Sequence, residues 1–538
     1  MEERLMISHV KRLFLLIICI SLVLCGCSDT QPSGSIKLYT STGKYELIDS
    51  FSPSESISLN SNSVIIVSVK SKFDNLTVTA ELNEDSTTLS LSYNEEEPLN
   101  NYLGSFTLKS TDKDTALGQI KITCIKDSKT EIYYSGIITV LKNSADESTK
   151  YIAEVIDVPA ETFDGDTVDD TSRPYNSYLP VGTVDYCSNA SIINEENEKS
   201  YRLLRFGKRV YDNQNLKIYE GTLPSKNSLT VDRAQTEGKY TVLAFYTDFK
   251  APFTVELKEQ EYKNTDKGVF VTESPTFSYV EIRFMYCTEI IGDVIFDSDN
   301  PLFKDAEISY GENCAVLKLN LKKQGRFYGW RAEYDEYGCL LLKFLEPTRL
   351  YSDNNQYGYG LYDKVIIVDA GHGGKDSGGA VDGFYESNSN LSFAFILKDE
   401  LEAAGATVYL TREDNIFMDT YDRYRKVLQY EPDFVVSVHR NGGGGNGFGA
   451  YYYNSFSAPA SKYVYQATAS TQLYRKCSGS SWHYFFLNRL GICPSVLTEN
   501  GFLDDDQDRI NMMNADHQKA CAQTIVKGII EYFKYQHS

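Results

Sequence analysis

The chain has 538 residues, more than one hydrophobic core normally serves, so several domains are expected. With 42% hydrophobic residues, 24% charged residues and only 14 prolines, it is neither collagen-like, proline-rich nor wholly disordered. A formal charge of −21 argues against a general nucleic-acid binder, whose hold on phosphates comes from Lys and Arg, and no nucleic-acid partner is expected.

Arg4, Lys11 and Arg12 precede a mostly apolar run from Leu13 to Gly26, too short to span a bilayer and suited to the core of an export signal. The run ends in Leu24-Cys25-Gly26-Cys27, which resembles the lipobox of bacterial lipoproteins. Residues 1–26 are therefore expected to be a lipoprotein signal peptide. Cys27 would be the lipidated residue and 27–35 a polar tether, placing the chain on the extracytoplasmic face of a bacterial membrane. The eight cysteines beyond Cys27 are scattered with no C-x-x-C pair, so they read as small buried hydrophobes, with room for a bridge or two.

Residues 36–145 carry short strand-like runs, such as Val64–Val67, Leu76–Thr79 and Ile120–Thr123, separated by Asn, Asp, Ser and Gly. That spacing predicts a β-sandwich-like module. A polar linker near Asn143–Ser148 leads to a second short-stranded stretch, 150–225, parts of which resemble bacterial SH3-like wall-associated modules. A third β-rich module is expected over 236–350, where Leu317, Leu319 and Leu321 alternate with polar residues. These modules read equally well as spacers or as recognition units for wall glycan, a protein activator or a wall-binding partner.

From Asp363 the pattern becomes strand-helix. Val365–Val368 is a continuous apolar run, as in a strand covered on both faces. The next elements expected are a helix over Asn388–Ala404, a strand over Ala406–Thr411, a helix over Asp419–Gln429, and the apolar strand Phe434–Val438 that delivers His439. Strand Phe448–Tyr453, a helix near Ser461–Lys476, strand Ser495–Thr498 ending at Glu499 and a helix over Ala515–Tyr535 complete the series. Residues 362–538 hold 16 basic and 21 acidic side chains, a net −5, so most of the acidity lies in front. In open α/β sheets ligands sit at the carboxyl ends of strands, and His372, His439 and Glu499 each follow an apolar strand while Glu386 precedes a helix. Two imidazoles and a carboxylate suit zinc with a coordination position left open. The glycines at 371–374 lack the spacing of a phosphate loop; Gly442–Gly449 reads as a mobile rim, and Asp504–Asp506 as the acidic start of a helix.

Val368–Gly378 with its Asp-Ala-Gly-His-Gly-Gly core, Glu386 before Asn390-Leu391, Leu410-Thr411-Arg412, Ser437–Asn441 and Pro494–Leu503 resemble the zinc-dependent N-acetylmuramoyl-L-alanine amidases, over about 363–534. The resemblance implies one Zn²⁺ held by His372, Glu386 and His439, with Glu499 as the catalytic carboxylate. It further implies a C-terminal α/β domain over 362–538, a mainly parallel sheet flanked by helices, acting on peptidoglycan. The bond cut would join the lactyl group of N-acetylmuramic acid to L-alanine. Arg440 stands where the family usually has a small residue, and Ser387-Asn388 replace a lysine-acidic pair, which bears on substrate preference. Arg440, Asn441 and Arg489 are candidate substrate contacts, a surface salt bridge being the other reading of Arg440. The rival functions are a non-catalytic wall-binding scaffold that keeps the fold and a zinc peptidase acting within the stem peptide.

Overall fold

The computed structural model describes residues 39, 41, 43–54, 57–60, 64–92, 99–109, 115–141, 151–164, 177–188, 191–194, 199–224, 226–265, 268–271, 274–311, 313–347 and 349–537. The expected signal peptide, Cys27 and tether lie outside them. Among the described residues no helix is long and apolar enough to cross a membrane. The described chain divides into two compact units near residue 140.

The first unit is a set of eight strands paired antiparallel where register is defined. Its strand Asp85–Ser92 changes partner midway, pairing through Leu89 with Thr77–Leu82 and from Ser90 with Asn100–Thr107. Inward positions repeat every second residue, with Val67, Val69, Val78, Ala80, Ile120 and Ile122 buried.

The second unit contains all the rest. Residues 151–220 form a five-stranded and a three-stranded sheet. Two further sheets, of five and four strands, are built from 227–345, their first strand Asn227–Glu237 starting ahead of the expected boundary. The alternation read in the sequence is real, with Leu317, Leu319 and Leu321 facing inward.

The C-terminal part is a six-stranded sheet with helices. In chain order its elements are β1 (Val365–Ala370), α1 (Glu386–Ala403), β2 (Thr407–Leu410), α2 (Thr420–Tyr430), β3 (Phe434–Asn441), β4 (Phe448–Tyr452), α3 (Ala458–Ala469), β5 (Cys477–Trp482), α4 (Phe486–Arg489), β6 (Ser495–Phe502), α5 (Asp506–Met512) and α6 (Ala515–Gln536). The sheet order is β2-β1-β3-β6-β4-β5, parallel from β2 through β6, with β4 antiparallel to β6 and β5 parallel to β4. Residues alternate between the two faces. Ile366, Val368, Val436, Val438 and Val496 share a core with α1, α3 and α6. Ile367 and Val435 belong to another core, shared with Tyr424 and Val427 of α2 and with the β-strands of 227–345. The β-rich residues thus help to cover a sheet face that a parallel sheet cannot leave to water.

Candidate metal centre

The apolar run of β1 ends at Ala370, and the chain turns at Gly371 and at His372, which takes a left-handed φ of 60°. His439 lies near the end of β3, and Glu386 is the first residue of α1. The three ligand atoms lie within 4.8 Å of one another. Glu386 Oε1 is 3.3 Å from His372 Nε2 and 3.0 Å from His439 Nδ1. Close packing explains two glycines: a Cβ on Gly371 would sit 2.2 Å from the His439 ring, and one on Gly378, itself at φ 62°, 2.5 Å from Glu386 Oε2.

Two of the three ligands, His372 and Glu386, are held from behind. His372 Nδ1 lies 2.9 Å from Asp376 Oδ2, which leaves Nε2 facing Glu386. Glu386 Oε2 accepts from Gly379 N at 2.9 Å, while Oε1 accepts from Asn390 Nδ2 at 3.1 Å and Arg440 N at 3.2 Å. Hydrogen bonding to Glu386 raises His372 to about 9. Burial opposes ionisation of Glu386, yet its bonds to both imidazoles hold the carboxyl far below its ordinary range.

Beneath the centre, Asp369 at the end of β1 is buried and pairs with Arg423 of α2. It also accepts from Thr411 Oγ1 at 2.7 Å and Ser437 Oγ at 2.5 Å. Burial pushes this carboxyl up, but Arg423 and the two hydroxyls outweigh it and the pKa is lowered. Arg412 is buried and donates to the carbonyls of Ala370, Gly371 and Ser387, tying the His372 loop to the start of α1.

Glu499 lies opposite His439 in the register of β3 and β6. Its Oε2 is buried with no hydrogen-bond partner. Burial raises its pKa to about 7 despite the pull of His439. A cleft of about 450 Å³ opens in front of His372 and His439, walled by Phe417 and Met418 on one side and by Phe485, Phe486 and Leu487 on the other. His483 stacks on Phe485 at 4.1 Å.

The four residues expected to carry the chemistry are therefore assembled, and the three candidate contacts are placed differently. Arg440 is 3% exposed and is not part of a surface salt bridge: it bonds to Ser389 Oγ at 3.0 Å, the Asn500 carbonyl and Gln518 Oε1 at 2.6 Å, and lies over the Phe393 ring. Its guanidinium is engaged inside the domain. Asn441 is half-buried and its Oδ1 accepts from Gly442 N. Arg489 is buried and lies 3.1 Å from Glu161 of the 151–220 strands. The glycine-rich rim is tied down: Asp504 Oδ2 accepts from Gly443 N and Gly444 N, and Asp508 Oδ2 from Gly447 N. Asp505 caps α5, as an acidic helix start should.

Sequence reasoning assigned no role to Asp376, Asp369, Arg412 or Arg423. The first carries a signal, a carboxylate four residues beyond a histidine in a glycine-rich turn. All eight cysteines beyond Cys27 are free, seven of them buried.

Comparison with known proteins points to the same C-terminal residues. Residues 366–531 match the family model described as N-acetylmuramoyl-L-alanine amidase. The sporulation-specific N-acetylmuramoyl-L-alanine amidase of Bacillus subtilis is 30% identical over 174 residues, 31% of this chain and 68% of that protein. The uncharacterized protein YqiI of the same organism is 29% identical over 175 residues, 32% of this chain and 85% of that one. Among solved structures, the catalytic domain of CwlV, an N-acetylmuramoyl-L-alanine amidase from Bacillus (Paenibacillus) polymyxa var. colistinus, is 30% identical and covers 32% of this chain and 98% of its own, with a TM-score of 0.31. Through its C-terminal domain, the chain belongs to the N-acetylmuramoyl-L-alanine amidase family.

Proposed function

We propose that the chain is a peptidoglycan hydrolase that cuts the amide between the lactyl group of N-acetylmuramic acid and L-alanine, with one zinc ion held by His372, Glu386 and His439. The observation that carries this reading is the convergence of two imidazoles and one carboxylate on a single point, beside a buried carboxylate with an unpartnered oxygen. The donor set fits zinc: two nitrogens and one oxygen leave a tetrahedral position open, and the partners behind His372 and Glu386 fix their direction. Zinc there supplies a Lewis acid and an acidified water.

The protein's own groups do the rest. Glu499 sits near neutrality, where a carboxyl can take a proton from the attacking water and return it to the leaving amine. Asp376 holds the His372 ring so that Nε2 faces the site. Phe417, Phe485 and Phe486 give the cleft apolar walls on either side of the reacting bond. No serine or cysteine nucleophile is required.

Membership of a cell-wall amidase family supports work in the cell envelope. The Leu24–Cys27 motif supports attachment to the outer face of the membrane through a lipid on Cys27. The test is mass spectrometry of soluble products from purified peptidoglycan treated with the zinc-loaded protein and with Glu499→Ala. Free stem peptides beginning at L-alanine, absent with the variant, are expected. Peptides cut internally would make it a peptidase, and no product at full zinc occupancy would make it a scaffold.

A further inference from the structure

Two segments wall the cleft in front of the metal centre, Phe417–Thr420 leading into α2 and Phe485–Asn488 spanning most of α4. Neither contains a ligand or Glu499, which come from α1, β3, β6 and the turn after β1. Both walls are held from behind by the strands of residues 151–220. On one side, Glu161 in strand Ala160–Asp164 approaches Arg489 at 3.1 Å, with the two side chains 4% and 5% exposed. The Arg489 guanidinium lies over the rings of Tyr484 at 3.9 Å and Phe486 at 5.4 Å, so the charge that Glu161 fixes is the one on which the wall rests. On the other side, Asn213 Nδ2 donates to Tyr421 Oη at 2.7 Å and Asp157 pairs with Arg425, both partners on α2. Between them a row of rings crosses the boundary: Tyr178 meets Tyr424 edge-on at 6.0 Å, and Tyr424 meets Phe486 at 6.3 Å.

A module that only recognises the wall needs no buried charge against its neighbour. A buried ion pair is poorly repaid in net stability, and in some proteins what such a group supplies instead is a defined geometry. We propose that residues 151–220 are a positioning brace for the substrate cleft, in which Glu161 and Asn213 set the placing of the two walls through Arg489 and Tyr421. The inference rests on the amidase reading given above. Glu161 and Asn213 act through the walls and do not touch the reacting atoms.

The brace predicts an effect on binding rather than on turnover, because the zinc ligands and Glu499 come from other elements. The full zinc-loaded chain is assayed on a soluble N-acetylmuramoyl-pentapeptide, with zinc stoichiometry and melting followed alongside. For Glu161→Gln, KM is expected to rise about tenfold while kcat stays within about twofold. A merely structural loss would lower the active fraction, and hence kcat, at unchanged KM. A wall-binding role would spare the soluble substrate and show only on insoluble peptidoglycan; either result overturns the proposal. If Glu161→Gln fails to fold, Tyr421→Phe decides. It removes only the hydroxyl that accepts from Asn213, and a KM raised by about threefold supports the brace where an unchanged KM overturns it. Absence of product from the wild-type chain would instead count against the amidase reading, so the two failures are distinguishable.

Discussion

At the scale of single residues, the proposed metal centre includes groups beyond the three ligands. His372 takes an unusual left-handed φ of 60°, and its ring direction is fixed by Asp376 at 2.9 Å, which also accepts from Gly378 N at 3.1 Å. Outer partners of this type commonly contribute about 10–100-fold in metal affinity. Asp376→Ala is therefore expected to weaken zinc binding by about that factor, read by competition against a chelator at constant pH. An affinity equal to wild type would show that the glycine turn alone orients the ring. The four principal residues were legible in the sequence because each sits where an apolar run stops or a helix starts, which is where a sheet presents side chains to a ligand. The burial of Arg440 is legible too. This residue follows His439 directly in β3, and neighbours in a strand point to opposite faces, so a ligand at 439 sends 440 into the core beneath α1. Arg489 was not legible, since its partner Glu161 lies in a separate run of strands far back in the sequence.

At the scale of elements, the hydrophobic pattern marks helix starts and apolar strands to within a few residues, but it does not mark the edge of the sheet. The expected helix at Ser461–Lys476 is instead α3 at Ala458–Ala469, and the chain then forms β5, Cys477-Ser-Gly-Ser-Ser-Trp482. Between Cys477 and Trp482 that segment has no β-branched or apolar residue. It is a strand because the exposed backbone of β4 pairs with it at the sheet edge, a tertiary effect that composition does not carry. The start of α2 was signalled by Asp419, whose side chain accepts from Asp422 N at 2.8 Å. Asp419→Ala is expected to cost about 1 kcal/mol in urea unfolding. No change in midpoint would mean that the packing of Tyr424 and Val427 alone holds the helix end.

A second element-scale expectation concerns the strand Val184–Tyr186. Asp185 is 1% exposed and accepts from Tyr286 Oη at 3.0 Å, Tyr186 N at 2.9 Å and Phe206 N at 3.1 Å. Burial raises its pKa to about 7, these donors only partly opposing it. A carboxyl that keeps its proton when folded stabilises most below its unfolded value near 4, and that contribution is lost as pH rises towards 7. Asp185→Asn removes this dependence. Relative to wild type, the variant is expected to gain about 3 kcal/mol between pH 5 and pH 8, read from paired urea midpoints. A constant gap between the two proteins would mean that Asp185 is already ionised in the native state at pH 5.

At the scale of the whole molecule, the second unit is not a string of independent modules. The face of the sheet carrying Ile367 and Val435 is buried in a core that continues through Tyr424 and Phe456 into Phe303, Phe327 and Phe344. Phe327 meets Phe456 at 5.5 Å, and a Cβ on Gly329 would fall 2.5 Å from the Ile492 carbonyl oxygen, so the backbones themselves are in contact. Trp330 N donates to the Gly491 carbonyl at 2.9 Å, and Arg326 Nη1 and Tyr328 Oη cap the end of α6 at the carbonyls of Tyr535 and Gln536. Leaving a large apolar side chain uncovered costs about 1.5–3 kcal/mol. Exposing Tyr424, Phe456 and Ile492 alone would then cost about 5–9 kcal/mol, much of the roughly 5–15 kcal/mol that holds a domain together. Residues 362–538 made alone are accordingly expected to bind a hydrophobic dye and to melt without cooperativity, whereas 151–538 should melt as one transition. A soluble, monomeric 362–538 with the melting temperature of the longer chain would show that the catalytic sheet closes its own face. In that case the strands of 151–220 would have to be explained by the cleft walls they hold.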